Sequence, residues 1–475
     1  MSVYKKYFEE NAGRELPIYG YSPPPDGQWQ LDDTVYTTED FRTVEKYKEY
    51  KDCGFNVLFL QGTASYKGDG WENSETKLAM ERAIEAGLDK VILIDKRIFD
   101  LSLIEGGLIG EGKQFATETE LDDFIRNCLK DYRHQKGFYG IQLRDEPFFP
   151  YLKTIGELFR SIARVDDSIF VHCNLNPLHG ASLAYRICTP GQNLITAYEK
   201  YLSTFLEATG TNHLMVDTYP FYRAPDRSPV GKFYFACLES LARVCKKYGV
   251  EMHVVMQSFG MLSRGKRYHY FPIEKQMQYQ KNVLMGFGVK QYSYFTYWTK
   301  QMNRTDGETF PDGEAIMNRR GEKTKMYNYV QRINKEIKAL SPLLSCFDYC
   351  SNAYFFHIPF RVSPTFLEMV QGGELSQVSN VQTDKETVLV TELYDKKKGQ
   401  YMHCMINVAE PKIYTKIYGK EKQRTQLAFD KKYNFADVYK NKTWRTVALQ
   451  NGELTVELAP GEGVIVLPYY NKEEE

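Results

Sequence analysis

No Cys-x-x-Cys pair occurs in this 475-residue chain, whose nine cysteines are scattered singly, as at Cys53, Cys128, Cys173 and Cys237. An odd number of isolated thiols fits a reducing compartment better than a disulfide scaffold. No stretch approaches the roughly 20 uninterrupted apolar residues of a bilayer crossing, so no membrane partner is expected. The opening segment, Met1 to Glu10, is charged and lacks the apolar core of a secretory leader. The expected location is cytoplasmic. An excess of charge is missing too: Lys+Arg and Asp+Glu both number 61, which leaves no overall field to draw in nucleic acid or an anionic surface. The eight histidines form no HExxH and no paired-ligand spacing, so neither a metal nor a cofactor is expected. Internal repeats and low-complexity segments are absent apart from the acidic tail Glu473 to Glu475, read as a solvated end.

Apolar residues are plentiful, at 43%, and a chain of this length buries a large core in one big domain and one modest one. Short apolar runs recur, each followed by a segment of helical spacing: Pro17–Tyr21, Phe55–Gln61, Val91–Asp95, Phe138–Arg144, Ile169–Asn174, His213–Asp217, Met252–Gln257 and Gln291–Trp298. Several are entered through a glycine, as at Gly54, Gly87, Gly137, Gly249 and Gly288. Glycine just past a helix accepts the left-handed conformation that ends it. Thr117 to Glu120 has the form of a capping box, and Thr37 with Asp40 is a weaker case. Eight apolar strands separated by helices specify the α/β class and a closed (β/α)8 TIM barrel. An open doubly wound sheet would carry a phosphate loop after its first strand, and Ser22-Pro23-Pro24-Pro25 cannot form one.

Near Ser341-Pro342 the pattern changes. An amphipathic helix, Thr324 to Leu340, gives way to strand-like runs at Ala353–Ile358, Thr387–Leu393, Tyr401–Val408, Leu454–Leu458 and Gly463–Leu467, with a hairpin turn at Asp395–Gly399. The division expected is a barrel over 1–340 and a smaller all-β sandwich over 341–475.

In such a barrel the active site gathers at the carboxyl ends of the strands. Those ends read Tyr21, Gln61, Asp95, Arg144 with Asp145 and Glu146, Asn174 with Asn176, Asp217 with Tyr219, Gln257, and Tyr297 with Trp298. Any one could be an ordinary helix cap, but all eight ends are polar or aromatic. The chain also holds 36 Tyr and 28 Phe; most fill the core, and rings beside polar groups at strand ends suit sugars.

Asp145-Glu146-Pro147 after the fourth strand, Tyr219 after the sixth and Tyr297-Trp298 at the eighth resemble the retaining glycoside hydrolases of clan A. The resemblance implies Glu146 as acid/base, Asp145 in place of an Asn that orients a sugar hydroxyl, and Trp298 as a sugar platform. The terminal run Ala459 to Leu467 is similar to the accessory sandwiches of that group. The group's nucleophilic Glu closes the seventh strand, where this chain has Gln257, and an amide cannot form a glycosyl ester. Three explanations stand in order: Asp217 supplies the second carboxylate, Gln257 is an engineered Glu→Gln replacement, or hydrolysis is lost and the site only binds.

The expectation is therefore a glycoside hydrolase acting on small oligosaccharides or glycosides. Glu146 and Asp217 are its catalytic carboxyls, and Asp145, Asn174, Tyr219, Gln257, Tyr297, Trp298, Gln61 and Tyr21 shape the sugar site. A carbohydrate is its partner, a homo-oligomer is compatible with the sequence, and a non-hydrolytic carbohydrate-binding protein is the alternative. Gly107 to Lys113 approximates a phosphate loop, but Gln114 replaces the magnesium-binding hydroxyl; a mobile loop over the mouth is the reading. Arg264 and Arg267 suggest contact with an anionic sugar, and His172 and His253 read as hydrogen-bonded core.

Overall fold

The computed structural model describes residues 2–471 except 32–33, 38, 179–192, 223–229, 231–232, 301–306, 356–374, 385–387 and 413–421. Positions 356–358 of one expected strand and the acidic tail lie outside the described residues. All eight expected barrel strands form: β1 (Ile18–Gly20), β2 (Leu58–Phe59), β3 (Val91–Leu93), β4 (Phe138–Asp145), β5 (Phe170–Leu175), β6 (His213–Asp217), β7 (Glu251–Gln257) and β8 (Gln291–Phe295). They pair in parallel in one eight-stranded sheet, β1-β8-β7-β6-β5-β4-β3-β2. The seam between β1 and β2 is closed by single contacts: Asn56 and Val57 N–H both donate to Ile18 O, while Asn56 Oδ1 accepts from Ile18 N–H at 2.7 Å. The Asn56 amide thus substitutes for a missing ladder rung. Gly54, Gly87, Gly137, Gly249 and Gly288 all have positive φ, as helix stops require.

Strand alternation sends Tyr19, Tyr21, Phe59, Ile92, Met215 and Val255 into one interior cluster. His172 joins them, its Nε2 3.1 Å from Tyr21 Oη. His253 is also buried, with Nε2 3.2 Å from Glu251 Oε2. Thr117 caps its helix by accepting from Glu120 N–H, whereas Thr37 lies in a short strand and Thr43 caps the following helix instead.

The final barrel helix, Lys325–Leu344, runs through Pro342 and past the expected 340/341 division. A proline in the last turn loses one hydrogen bond, and buried Lys290 meets the helix end, donating from Nζ to Leu344 O at 2.8 Å and to Phe347 O. The sandwich follows as β9 (Asp348–Phe355), β10 (Val378–Thr383), β11 (Val388–Asp395), β12 (Gln400–Asn407), β13 (Gln423–Phe429), β14 (Phe435–Lys440), β15 (Thr443–Ala448), β16 (Glu453–Leu458) and β17 (Gly463–Tyr469). Its large sheet is ordered β9-β11-β12-β17-β14-β15 and its small sheet β10-β13-β16. The expected turn holds, with Gly399 N–H donating to Asp395 O.

The central strands of the large sheet, β11, β12 and β17, are buried on both faces. Val388 and Val390 enter the sandwich core, while Leu389 and Leu393 pack with the barrel cluster. The amino-terminal helix Val3–Glu10 adds a clasp: Asp437 of β14 accepts from Tyr4 N–H at 3.1 Å, and the Tyr4 ring stacks on Trp444 at 4.5 Å. No helix among the described residues is long and apolar enough to cross a membrane.

Candidate active site

A register shift on β4, between Gln142 and Arg144, sets Asp145 opposite Asn174 of β5. Without that bulge, strict alternation would turn one of the two from the barrel mouth. The next residue, Glu146, has φ +47° and donates its N–H to Asn174 O at 2.7 Å. A non-glycine residue in this region carries strain of roughly 1–2 kcal/mol, held here by the surrounding packing. Pro147 fixes the turn: its carbonyl accepts from Tyr201 Oη at 2.7 Å and from Asn176 Nδ2 at 3.0 Å. Asn176 is thereby a support for the turn.

Asn174 joins the strand ends. Its Nδ2 donates to Asp145 Oδ1 and to Asp217 Oδ1, each at 3.0 Å. One amide therefore bridges the carboxylates that end β4 and β6. Its Oδ1 is buried with no hydrogen-bond partner among the described residues, an acceptor that those residues leave unused. Asp217 also makes side-chain hydrogen bonds with Glu146 and Tyr219. Burial pushes the Asp217 carboxyl up to about 6; the Asn174 hydrogen bond opposes the shift and the charge of Asp145 adds to it. Asp217 is buried, while Asp145 and Glu146 are exposed.

Tyr219 is half-buried, its ring 5.1 Å from Phe259 and its hydroxyl held well above the usual phenol range, first by burial and then by Asp217 and Glu146. Tyr21 lies buried below, likewise raised by burial and then by the neighbouring Tyr19, Asp145, Tyr219 and Asp217. The rim thus brings together Asp145, Glu146, Asn174, Asp217, Tyr219 and Tyr21.

The other expected residues are engaged elsewhere. Gln257 is fully buried and its amide is saturated: Nε2 donates to Tyr270 O at 2.8 Å, Phe221 O at 3.0 Å and Phe259 O at 3.4 Å, and Oε1 accepts from Phe221 N–H at 2.9 Å. It ties the loops after β6 and β7. A Glu there would set a carboxylate against three carbonyl oxygens, so the clamp is built for an amide. Tyr297 is buried 4.7 Å from Tyr50 and 5.5 Å from Phe55, and Trp298, 1% exposed, packs 4.7 Å from Phe41. Both are core rings here, and neither presents a sugar platform. Gln61 accepts from Ser22 N–H at 2.9 Å.

The phosphate-loop look-alike is pinned. Gly107 N–H donates to Thr154 Oγ1 at 2.9 Å and Leu108 N–H to buried Glu157, so an internal carboxylate occupies an amide that a phosphate would need. Arg267 is committed to Glu314, with Nη2–Oε1 at 2.8 Å, whereas Arg264 is exposed. Tyr268 and Tyr270, in the run Arg264–Tyr270 that the sequence reads as a cleft-lining loop after the seventh strand, are exposed, and sequence reasoning missed one further exposed ring, Phe148 after β4. The position of Phe148 just beyond Pro147 was the available signal.

No protein-family model matches this sequence, and no curated protein matches it. Solved structures do. An Anoxybacillus α-amylase, described as giving insight into a new glycosyl hydrolase subclass, aligns with TM-score 0.52 at 12% identity over 96% of this chain and 98% of its own. A structure described as a glycoside hydrolase gives 0.52 at 10% identity, covering 97% and 93%. A family 5 glycoside hydrolase from Bacteroides vulgatus gives 0.51 at 9%, covering 97% and 89%. The shared property is the fold.

Proposed function

We propose that this protein hydrolyses glycosidic bonds of small oligosaccharides or glycosides through the carboxyls of Asp145, Glu146 and Asp217. The observation that carries the reading is the Asn174 bridge between Asp145 and Asp217, with Glu146 hydrogen-bonded to Asp217. Glycoside hydrolysis needs one carboxyl that keeps its proton near neutrality and one that does not. The Glu146–Asp217 pair holds the proton, because burial resists a charge on Asp217, and exposed Glu146 presents it to the leaving oxygen. One amide nitrogen reaches both Asp145 and Asp217 at 3.0 Å, so the two carboxyls stand side by side at the rim next to Glu146.

On this reading Asp145 attacks the anomeric carbon as the pair protonates the departing oxygen, forming a glycosyl ester. Water then cleaves that ester and returns its proton to the pair. The structural neighbours described as an α-amylase and glycoside hydrolases support the class of reaction.

The test is a panel of aryl glycosides with Glu146→Gln in parallel. Turnover by the native chain that Glu146→Gln abolishes, with the fold retained, is the expected result; retained turnover removes Glu146 from its role. A second reading, sugar binding without hydrolysis, is favoured by the amide at Gln257. It prevails if no aryl glycoside is cleaved at any pH while sugars still bind.

A further inference from the structure

A cavity of about 290 Å³ opens where barrel helices Glu274–Gly286 and Lys325–Leu344 meet the large sandwich sheet. That volume sits at the lower edge of the about 300–1,000 Å³ range of small-molecule sites, enough for one compact ligand. None of the rim carboxylates lines it.

Lys281 reaches the cavity while only 4% exposed. Its ammonium pairs with Glu336 Oε1 at 2.7 Å, and Tyr439 Oη donates to the same oxygen at 3.2 Å. An ammonium has three donors, and Glu336 is its one charged or hydrogen-bonded partner among the described residues. Burying a lysine with donors unused is costly unless something else fills them.

A second observation comes from the opposite wall. Asn441 and Lys442 form the two-residue turn between paired Lys440 and Thr443, with φ of +51° and +63°. A turn of this kind favours glycine at its second position, where a lysine strains the backbone. Lys442 nevertheless stands there and lines the cavity.

The lining selects the ligand's chemistry. Lys281 and Lys442 are balanced by Glu336 and Glu462, so no net charge attracts an ion. Donors from Lys281 and Lys442 and acceptors from Glu336 and Glu462 both line it, a set that hydroxyl groups satisfy because each both gives and takes a hydrogen bond. Met285, Ile406 and Ile465 supply an apolar surface for a C–H face. We propose that this interdomain cavity is a non-catalytic binding site for a neutral monosaccharide unit, held by Lys281 and Glu336 from the barrel and by Tyr439 and Lys442 from the sandwich. Because both domains contribute, occupancy ties them together and raises the unfolding temperature.

Binding of glucose, galactose, mannose and xylose, each measured by saturation-transfer NMR on the full chain, tests this. At least one sugar should bind the native protein and Asp217→Asn alike, with affinity falling about tenfold or more in Lys442→Gly and Lys281→Met. Lys442→Gly relaxes the turn and should melt no lower than the native chain without sugar, so it serves if Lys281→Met fails to fold. The site is rejected if none of the four binds or if Lys442→Gly leaves affinity unchanged. Binding lost in Asp217→Asn but kept in Lys442→Gly places the sugar at the rim, which overturns this proposal and supports the hydrolytic one.

Discussion

Two carboxylates withdrawn from water in this chain shift in opposite directions. Asp217 at the barrel rim is raised to about 6, whereas Glu392 in the sandwich is lowered to about 2. Burial raises both, so the difference lies in the partners. Glu392 accepts from His403 Nε2 at 3.0 Å, Ser376 Oγ at 2.7 Å, Ser376 N–H at 3.1 Å and Gln377 N–H at 3.0 Å. Asp217 is met by the Asn174 amide at 3.0 Å and by Glu146, whose hydrogen bonds lower it, but burial and the charge of Asp145 outweigh them. A buried carboxylate ringed by donors is a structural anchor; one set among other acids is a proton store.

The contrast fixes opposite pH dependences of stability. Asp217 is raised above its ordinary 3.8, so its contribution is full below that pH and is lost as pH climbs to about 6, on the order of 3 kcal/mol. Glu392 is lowered from 4.5, so it stabilises above that value and the gain disappears as pH falls towards 2.

The largest effect expected is from Asp217→Asn: hydrolysis falls about 10³-fold or more while the melting temperature at pH 7 rises. Aryl glycoside assays and calorimetry check both, and a fall in melting temperature would break the contrast. Gln257→Glu should cost about 2–4 kcal/mol in denaturant unfolding without any gain in turnover, because the carboxylate would oppose three carbonyls. Glu392→Gln should cost about 2 kcal/mol at pH 7 and leave turnover per folded molecule unchanged. The smallest change is in Asn174→Ala, which removes the hydrogen bond that lowers Asp217; the basic limb of the pH–rate profile should move up by about one pH unit.

Much of the fold was legible because it rests on local signals. Eight apolar runs and the glycine stops each state their own conformation, and Asp145-Glu146-Pro147 announces polar chemistry at a strand end. The site was legible only in part. Polarity at a strand end does not reveal what it will bind, so Gln257 looked like a sugar ligand although its amide clamps three loop carbonyls. Trp298 and Tyr297 looked like platforms, but rings fit equally well behind a strand, and theirs pack against Phe41 and Tyr50. The Asn174 bridge depends on a bulge in β4, which no alternation pattern announces. The helix through Pro342 escaped for a similar reason: tertiary contacts from Lys290 stabilise an end that local propensity would place earlier.

The claim on which the account rests is that Asp217 stores a proton within a connected acid cluster. Carbon-13 titration of the aspartate carboxyls, with Asp217 assigned by its loss in Asp217→Asn, measures this directly. A midpoint near 6 that moves down in Asp145→Asn is the predicted result; a midpoint at or below 3.8, unchanged by Asp145→Asn, contradicts it.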